Sequence, residues 1–533
     1  MRDDLRRTCS EIWVIDCSPE GHAPAVATRI FPGVKHRVCI AIASRKLQKN
    51  DQEAARVRFR ALAKGSREQK FAELSRLSLK SGGWIECPTN WRDPFLPVAS
   101  GPWAQFVQLD AFFVYEGPGV MPGRTWAISP DPQTLRMRWS KLIQEKNPDT
   151  KEKLFHPQLR KGKVASRHIR KIVRQPLGSR DTRPITILGD KDECETPIRY
   201  GFRSFDRQWL IPDARLLNDV RPVLWSAFSG RQVHLTTITE TSPSSGPAIT
   251  LTALIPDQDH YNGRGGRAYP LWRDSEALQP NIKPALLAHL AKLYGKPIKA
   301  EDVMAYLAAV MAHPAFTARF KADLIRPGLH VPLTADAKLF AEAVALGTEV
   351  IWLHSHGERF FDAATGRPKG PPRLPKEGAP FIPANGAIPG APEPLPENMD
   401  YDSATRRLKI GRGFVENVTP EMWAYEVSGK EVLRHWFSYR ERDRKKPLIG
   451  DRRPPSPLDS VQPDHWLPEY TSDLIDLLHV LGRLIALEPR QADLLERICA
   501  GKLRKADELR KAGALAHAGG DATSQKDKKK SKG

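Results

Sequence analysis

Residues 12–18, IWVIDCS, and 38–44, VCIAIAS, are near-continuous apolar runs of strand length, and their reading decides the fold class. A strand with one face in water alternates apolar and polar side chains. One that is apolar throughout is buried on both faces, as in an α/β sheet. A helix, Arg2–Thr8, precedes the pair, and a Gly/Pro-bearing loop separates the two runs. Residues 48–80 read as helical and charged, with Phe59, Leu62, Phe71, Leu74 and Leu77 on one apolar stripe. Pro/Gly/Trp-rich loops occupy 82–132. Across 184–272 the runs RPITILG, RQVHLTTIT and AITLTALIP alternate with turns, which predicts a mixed or antiparallel sheet. From 283 to 345 the period is helical, with Leu286, Leu287, Leu290 and Leu293 on one face and Val303, Tyr306, Leu307 and Val310 on another. A Pro/Gly-rich surface loop is expected at 368–396 and a late helix at 474–487. The fold class is therefore α/β and α+β mixed.

Composition excludes several classes. No apolar run reaches the ~20 residues a membrane helix needs, and no signal peptide opens the chain, so a cytoplasmic protein without a membrane partner is expected. Six cysteines (Cys9, Cys17, Cys39, Cys87, Cys194, Cys499) lack any C-x-x-C pair, which argues against a disulfide framework or zinc ribbon. The formal net charge is +21, which calls for a polyanionic partner. Residues 136–174 hold thirteen Lys/Arg against Glu145, Asp149 and Glu152, so nearly half of the excess lies in one segment. Within it, Arg167, Arg170, Lys171 and Arg174 fall at helical spacing, beside Lys161 and Lys163. A solvated helix face and a phosphate-contacting surface both fit such a run. The end, SQKDKKKSKG, reads as a disordered tail.

Catalytic motifs are mostly missing. There is no GxxxxGK[ST] loop, no HExxH and no G-x-S-x-G elbow. His354 and His356 in HSHGE would share a face if 350–353 is a strand, but no cysteine or further acid completes a metal set. Glu68-Gln69-Lys70 has the E-x-K part of a nuclease motif without its Pro-Asp. Two glycine-bearing stretches carry more content. GPGVMPGRTWAI sets Arg124 behind flexible residues, and DHYNGRGGRAYPLW interleaves Arg264 and Arg267 with Tyr261 and Tyr269. Glycines admit close backbone approach, and the arginine fork suits phosphate or a guanine edge; an ordinary surface turn has the same composition.

The N-terminal run, residues 1–46, resembles the last part of the catalytic domain of adenine N6 DNA methyltransferases. GVMPGRTW, IRYGFRSFDRQWLIPD (198–213), the Gly-rich stretch and residues 301–333 resemble the C-terminal target-recognition region of type ISP restriction-modification enzymes. The resemblance extends to about residue 502. It implies a fragment of a Rossmann-like methyltransferase sheet (1–47), a helical and loop connector (48–115), a mixed sheet-and-helix DNA target-recognition region (116–502) and a charged end (503–533). It also implies sequence-specific binding of double-stranded DNA. Arg124, Arg203, Arg207, Arg264 and Arg267, with Tyr261, would lie near the bases, and Lys161, Lys163, Arg167, Arg170, Lys171 and Arg174 on phosphates. An ion pair of Asp206 with its flanking arginines is the competing role for Arg207.

The chain departs from the pattern in lacking the Gly-rich S-adenosylmethionine loop and the Asn/Asp-Pro-Pro-Tyr loop that holds a flipped base. It is therefore expected to be inactive as a site-specific adenine DNA methyltransferase by itself. No cofactor is expected on this chain, S-adenosylmethionine belonging to the complete enzyme; a split system completed by a separately encoded catalytic piece and a truncated reading of a longer gene both fit. An RNA-binding or structural basic protein, or an enzyme with an unrecognised site near His354/His356, are the alternatives. Two strands and a helix cannot close a core, so exposed apolar surface is expected across residues 12–44.

Overall fold

A computed structural model describes residues 2–19, 30–31, 34, 38–88, 91, 95–97, 102–160, 163–164, 167–239, 241–261, 266–325, 328–442 and 454–515. Two compact units result, Met1–Ala104 and Gln105–Gly533.

The first unit contains α1 (Arg2–Thr8), β1 (Glu11–Asp16), β2 (Cys39–Ser44), β3 (Arg56–Ala61), α2 (Arg67–Arg76) and β4 (Ile85–Glu86). The strands form one sheet in the order β2-β1-β3-β4, with β1 antiparallel to β2 and parallel to β3. Two expectations change here. Residues 56–61 are a strand, because RVRFRA alternates: Val57 and Phe59 point into the core while Arg56, Arg58 and Arg60 face outward. The helix begins only after Ser66, whose side chain and Gln69 form a capping box. β3 thus belongs to the same sheet as β1 and β2, so that sheet extends past the expected boundary after residue 47. β3 pairs alongside β1, whose Ile12, Trp13, Val14 and Ile15 are all buried, Ile12 and Val14 in a cluster with Val57, Phe59 and Leu5 and Ile15 in another with Leu62 and Leu74. The uncovered apolar strand is β2, at the sheet edge and exposed at all positions but Ile40, which is half-buried. Lys70 of the E-x-K triplet is buried, with its Nζ donating to the Cys17 carbonyl at 3.1 Å.

The second unit starts with β5 (Val107–Gln108), β6 (Ile128–Ser129), α3 (Pro132–Gln144), α4 (Pro148–Phe155) and the ribbon β7 (Leu159–Arg160) and β8 (Lys163–Val164). Next come β9 (Ile198–Arg203), β10 (Asp206–Leu210), α5 (Pro222–Ser226), β11 (His234–Ile238), β12 (Thr250–Thr252) and β13 (Gly266–Pro270). The helical part is α6 (Pro284–Tyr294), α7 (Ala300–Met311), α8 (Pro314–Arg319), the short β14 (His330–Val331) and β15 (Leu333–Thr334), and α9 (Ala337–His354). The chain ends with β16 (Met399–Asp402), β17 (Arg407–Ile410), β18 (Gly413–Val415), α10 (Pro420–Ala424), β19 (Glu426–Val427), β20 (Lys430–Glu431), α11 (Val432–Phe437), α12 (Pro468–Ala500), β21 (Leu503–Arg504) and α13 (Ala506–Lys511).

Three three-stranded sheets, β6-β10-β9, β12-β11-β13 and β16-β17-β18, supply its main strands. Pairing is antiparallel throughout them, as the alternating runs predict. RPITILG is instead a turn-rich segment that still buries Ile187. α7 is apolar around most of its circumference and buried from Val303 to Met311, so it forms the centre of a helical layer with α9 and α12. Gly347 of α9 makes that contact possible: a Cβ there would come within 1.7 Å of the Ala305 carbonyl. Residues 350–353 are helical rather than extended, because Phe340, Ala343, Leu346, Val350 and Leu353 continue one buried face of α9. The late helix extends well beyond the expected 474–487. Residues 368–396 are irregular apart from a short 3-10 turn, Ala384–Gly386. At the charged end β21 pairs with β15 and α13 follows, whereas the Lys-rich tail lies outside the described residues. No helix among the described residues is long and apolar enough to cross a membrane.

Candidate nucleic-acid interface

The basic block folds into two helices and an extended segment that sort its cations by burial. α3 starts at Asp131, whose carboxylate accepts from the Thr134 amide at 2.7 Å, and buries Leu135, Trp139 and Leu142. Arg138 lies on the same face and is fully buried. Its guanidinium donates to the carbonyls of Val461 (2.9 Å), Trp126 (3.1 Å) and Ile128 (2.8 Å). Lys151 of α4 is likewise buried on the Ile143 carbonyl, and burial holds its amine below the usual lysine range. Arg136, Lys141, Lys146 and Lys153 remain exposed. Along the outer face of α3 runs an open concavity of about 890 Å³, lined by Gln133, Arg136, Met137, Ser140, Lys141 and Lys146 among others.

Residues 167–174 do not form the expected helix. A turn, with the Lys171 amide on the His168 carbonyl at 3.1 Å, leads into an extended run. Ile169 and Val173 enter two different core clusters, which holds the backbone open between them. Arg170, Lys171 and Arg174 project into solvent, beside the exposed Ile172. Arg167 turns inward, giving its Nε to the Ala214 carbonyl (2.8 Å) and an Nη to Gln175 (3.0 Å). Lys161 lies outside the described residues, as does the side chain of Lys163.

The remaining expected base-proximal residues separate in the same way. Arg124 is 1% exposed and donates to the carbonyls of Phe155, Leu216 and Arg167 and to the Asn218 side chain, while stacking on Phe155. Arg203 is buried against Asp257 at 2.7 Å, which holds its guanidinium firmly protonated. Tyr261 is buried with its hydroxyl on the Pro247 carbonyl. These three side chains are spent inside the protein, which removes them from the surface where DNA contact was expected. Arg207 pairs with Glu358 (3.1 Å) and more distantly with Asp473 (3.9 Å). Asp206 does not pair with its neighbours: it meets Arg440 at 2.9 Å, both groups buried. Arg267 on the edge strand β13 reaches Glu116 at 3.0 Å and stays one-third exposed. Arg264 lies outside the described residues.

His354 and His356 are buried as well. The His354 Nδ1 accepts from the Leu251 amide at 3.3 Å, and its ring packs on Phe205 with centroids 4.9 Å apart. Burial pushes the His354 pKa down to about 3 and that of His356 well below the usual range, so both imidazoles are neutral. Among the described residues no three His, Cys, Asp or Glu side chains are grouped to hold a metal ion.

A family model, the type ISP C-terminal specificity domain, matches residues 111–477. Among solved structures the chain is similar to DrdV in a DNA complex, with TM-score 0.59, 16% identity and coverage of 93% of this chain and 48% of that one. It is also similar to a nuclease-deletion mutant of the type ISP restriction-modification enzyme LlaGI in complex with a DNA substrate mimic (TM-score 0.57, 13% identity, 93% and 37% covered). A third likeness is to the ATP-dependent type ISP restriction-modification enzyme LlaBIII bound to DNA (TM-score 0.59, 14% identity, 94% and 32% covered). At such identities these likenesses establish a shared mixed α/β fold. The chain spans less than half the length of each of these three proteins. No curated protein matches it.

Proposed function

The chain belongs to the type ISP C-terminal specificity-domain family, and from that premise we propose that it recognises a sequence in double-stranded DNA. The observation that carries this reading is the sorting of cations within 136–174. Arg138, Lys151 and Arg167 fix the backbone by donating to carbonyls, and Arg136, Lys141, Lys146, Lys153, Arg170, Lys171 and Arg174 are left exposed. Such a surface neutralises phosphates and supplies affinity and register, while side chains elsewhere read base edges. Binding of the purified chain to a randomised duplex pool at several salt concentrations tests this. Enrichment of a defined sequence is expected, and equal retention of all sequences at every salt concentration would refute it.

The methyltransferase reading of the first unit is part of the same proposal. The parallel β1–β3 pair fits the end of a Rossmann-like sheet, and the uncovered edge strand β2 suits continuation by a strand of a catalytic piece. Neither the Gly-rich loop that would hold S-adenosylmethionine nor the Asn/Asp-Pro-Pro-Tyr loop occurs in this sequence. Asp16, at the carboxyl end of β1, accepts from the Ser18 amide at 2.8 Å, and the Ser18 hydroxyl accepts from the Val38 amide at 2.9 Å, so the acid closes a local turn. Cofactor binding and methyl transfer therefore fall to the catalytic piece.

A further inference from the structure

The cation sorting accounts for affinity and leaves open which groups read bases. A cleft of about 260 Å³ lies where two sheets meet, lined by Gln108, Asp110, Glu116, Thr237, Arg267 and Tyr269 among others. Gln108 ends β5, which pairs with β14, and Arg267 lies on β13 opposite Thr237 of β11. Glu116 is fixed beside β13 because the next residue, Gly117, exchanges backbone hydrogen bonds with Ala268 (3.2 and 2.7 Å).

Two properties set this cleft apart. First, several of its polar groups keep hydrogen-bonding capacity, although the Thr237 hydroxyl donates to the Ala248 carbonyl at 2.9 Å. Asp110 and Gln108 have no side-chain hydrogen-bond partner among the described residues, and Arg267 has only Glu116. Arg124, Arg138 and Arg203 are by contrast buried on protein acceptors. Second, the balance of charge is wrong for phosphate. Two carboxylates to one guanidinium, in a chain of net charge +21, would repel a DNA backbone. A base edge has the opposite requirement: the amines of adenine and cytosine need acceptors, and purine N7 and O6 need donors. Burial raises the Glu116 pKa and Arg267 opposes it, so the pair keeps donor and acceptor side by side.

We propose that this cleft is a base-reading site, in which Asp110 and Glu116 accept from the exocyclic amine of a target base and Arg267 positions Glu116 while donating to an adjacent acceptor. The proposal rests on the DNA-recognition reading, and its test is chosen so that the two can fail separately. The full chain and the isosteric variants Asp110→Asn and Glu116→Gln, with Arg267→Gln as a third, are selected against a randomised duplex pool. Thermal unfolding confirms that each folds; the carboxylates are exposed enough for Asn and Gln to be accommodated. Discrimination at one or two positions of the wild-type sequence is expected to fall about 5- to 150-fold while other positions and the salt dependence stay unchanged. A duplex lacking the amine at that position should lose no further affinity with Glu116→Gln. If the wild type selects a sequence and all three folded variants select the same one equally well, the cleft assignment is overturned and the recognition reading stands. If the wild type selects nothing, both are overturned.

Discussion

Replacing Arg170, Lys171 and Arg174 together by alanine tests whether the exposed basic segment lies on phosphates. All three are solvent-exposed and are held in place by Ile169 and Val173, so the fold should be retained within about 0.5 kcal/mol per site. Among the described residues, seven cations of the block are exposed. If all seven touch phosphate, the logarithm of affinity falls against the logarithm of salt with a slope of about −6, and binding weakens roughly 6,000-fold between 50 and 200 mM. Removing three brings the slope to about −3.6 and the loss to roughly 150-fold over the same range. Fluorescence anisotropy with one labelled duplex at five salt concentrations measures both slopes. Arg124→Ala is the control: its donors go to protein carbonyls and Asn218, so it lowers the melting temperature and leaves the slope alone. A folded triple variant with the wild-type slope would refute the reasoning, since phosphate contacts cannot be lost without changing counterion release.

Asp206→Ala leaves the fully buried Arg440 uncompensated and should cost about 3–5 kcal/mol in denaturant unfolding, whereas a cost under about 1 kcal/mol would mean that solvent reaches the pair. Gly347→Ala places a methyl on the Ala305 carbonyl and must push α9 from α7; about 2–3 kcal/mol of lost stability is expected, and an unchanged melting curve would contradict that contact. His234, His260 and His354 titrate at about 3 in the fold against an ordinary value of 6.5. Between those limits the unfolded chain binds more protons, so stability is present above pH 6.5 and is lost as pH falls toward 3. The loss reaches up to about 1.4 kcal/mol per pH unit for each imidazole, and melting temperatures that stay level from pH 7 to 5 would count against the buried neutral cluster.

Local pattern carried the elements whose stability is local. The runs RQVHLTTIT and AITLTALIP predict strands that are there, as β11 and β12, and the 283–345 periodicity predicts α6 and α7. The alternation RVRFRA was equally legible, but the three-residue step from Phe59 to Leu62 also fits a helix, and only pairing with β1 decides between them. The fate of individual arginines was not legible, because the partners lie far away in sequence. Arg138 donates to Val461, and Arg440 meets Asp206, across separations of 323 and 234 residues. Gln108, Asp110 and Glu116 carry no motif; the single hint was the turn-forming Gly-Pro-Gly that follows Glu116.

The buried arginines also change what the net charge means. The Arg124 and Arg138 guanidinium groups are solvated in the fold largely by carbonyl oxygens, so each adds to the formal charge without presenting a cation to solvent. A chain of +21 therefore overstates its capacity for phosphate, and the exposed subset sets the salt slope. Acids not drawn into ion pairs stay available, as Asp110 does in a cleft where a carboxylate opposes backbone binding and favours a base amine. Affinity and sequence preference then reside on different side chains, the exposed cations of 136–174 and the cleft beside β13. Variants of the first should shift the salt slope at constant sequence preference, and variants of the second should do the reverse.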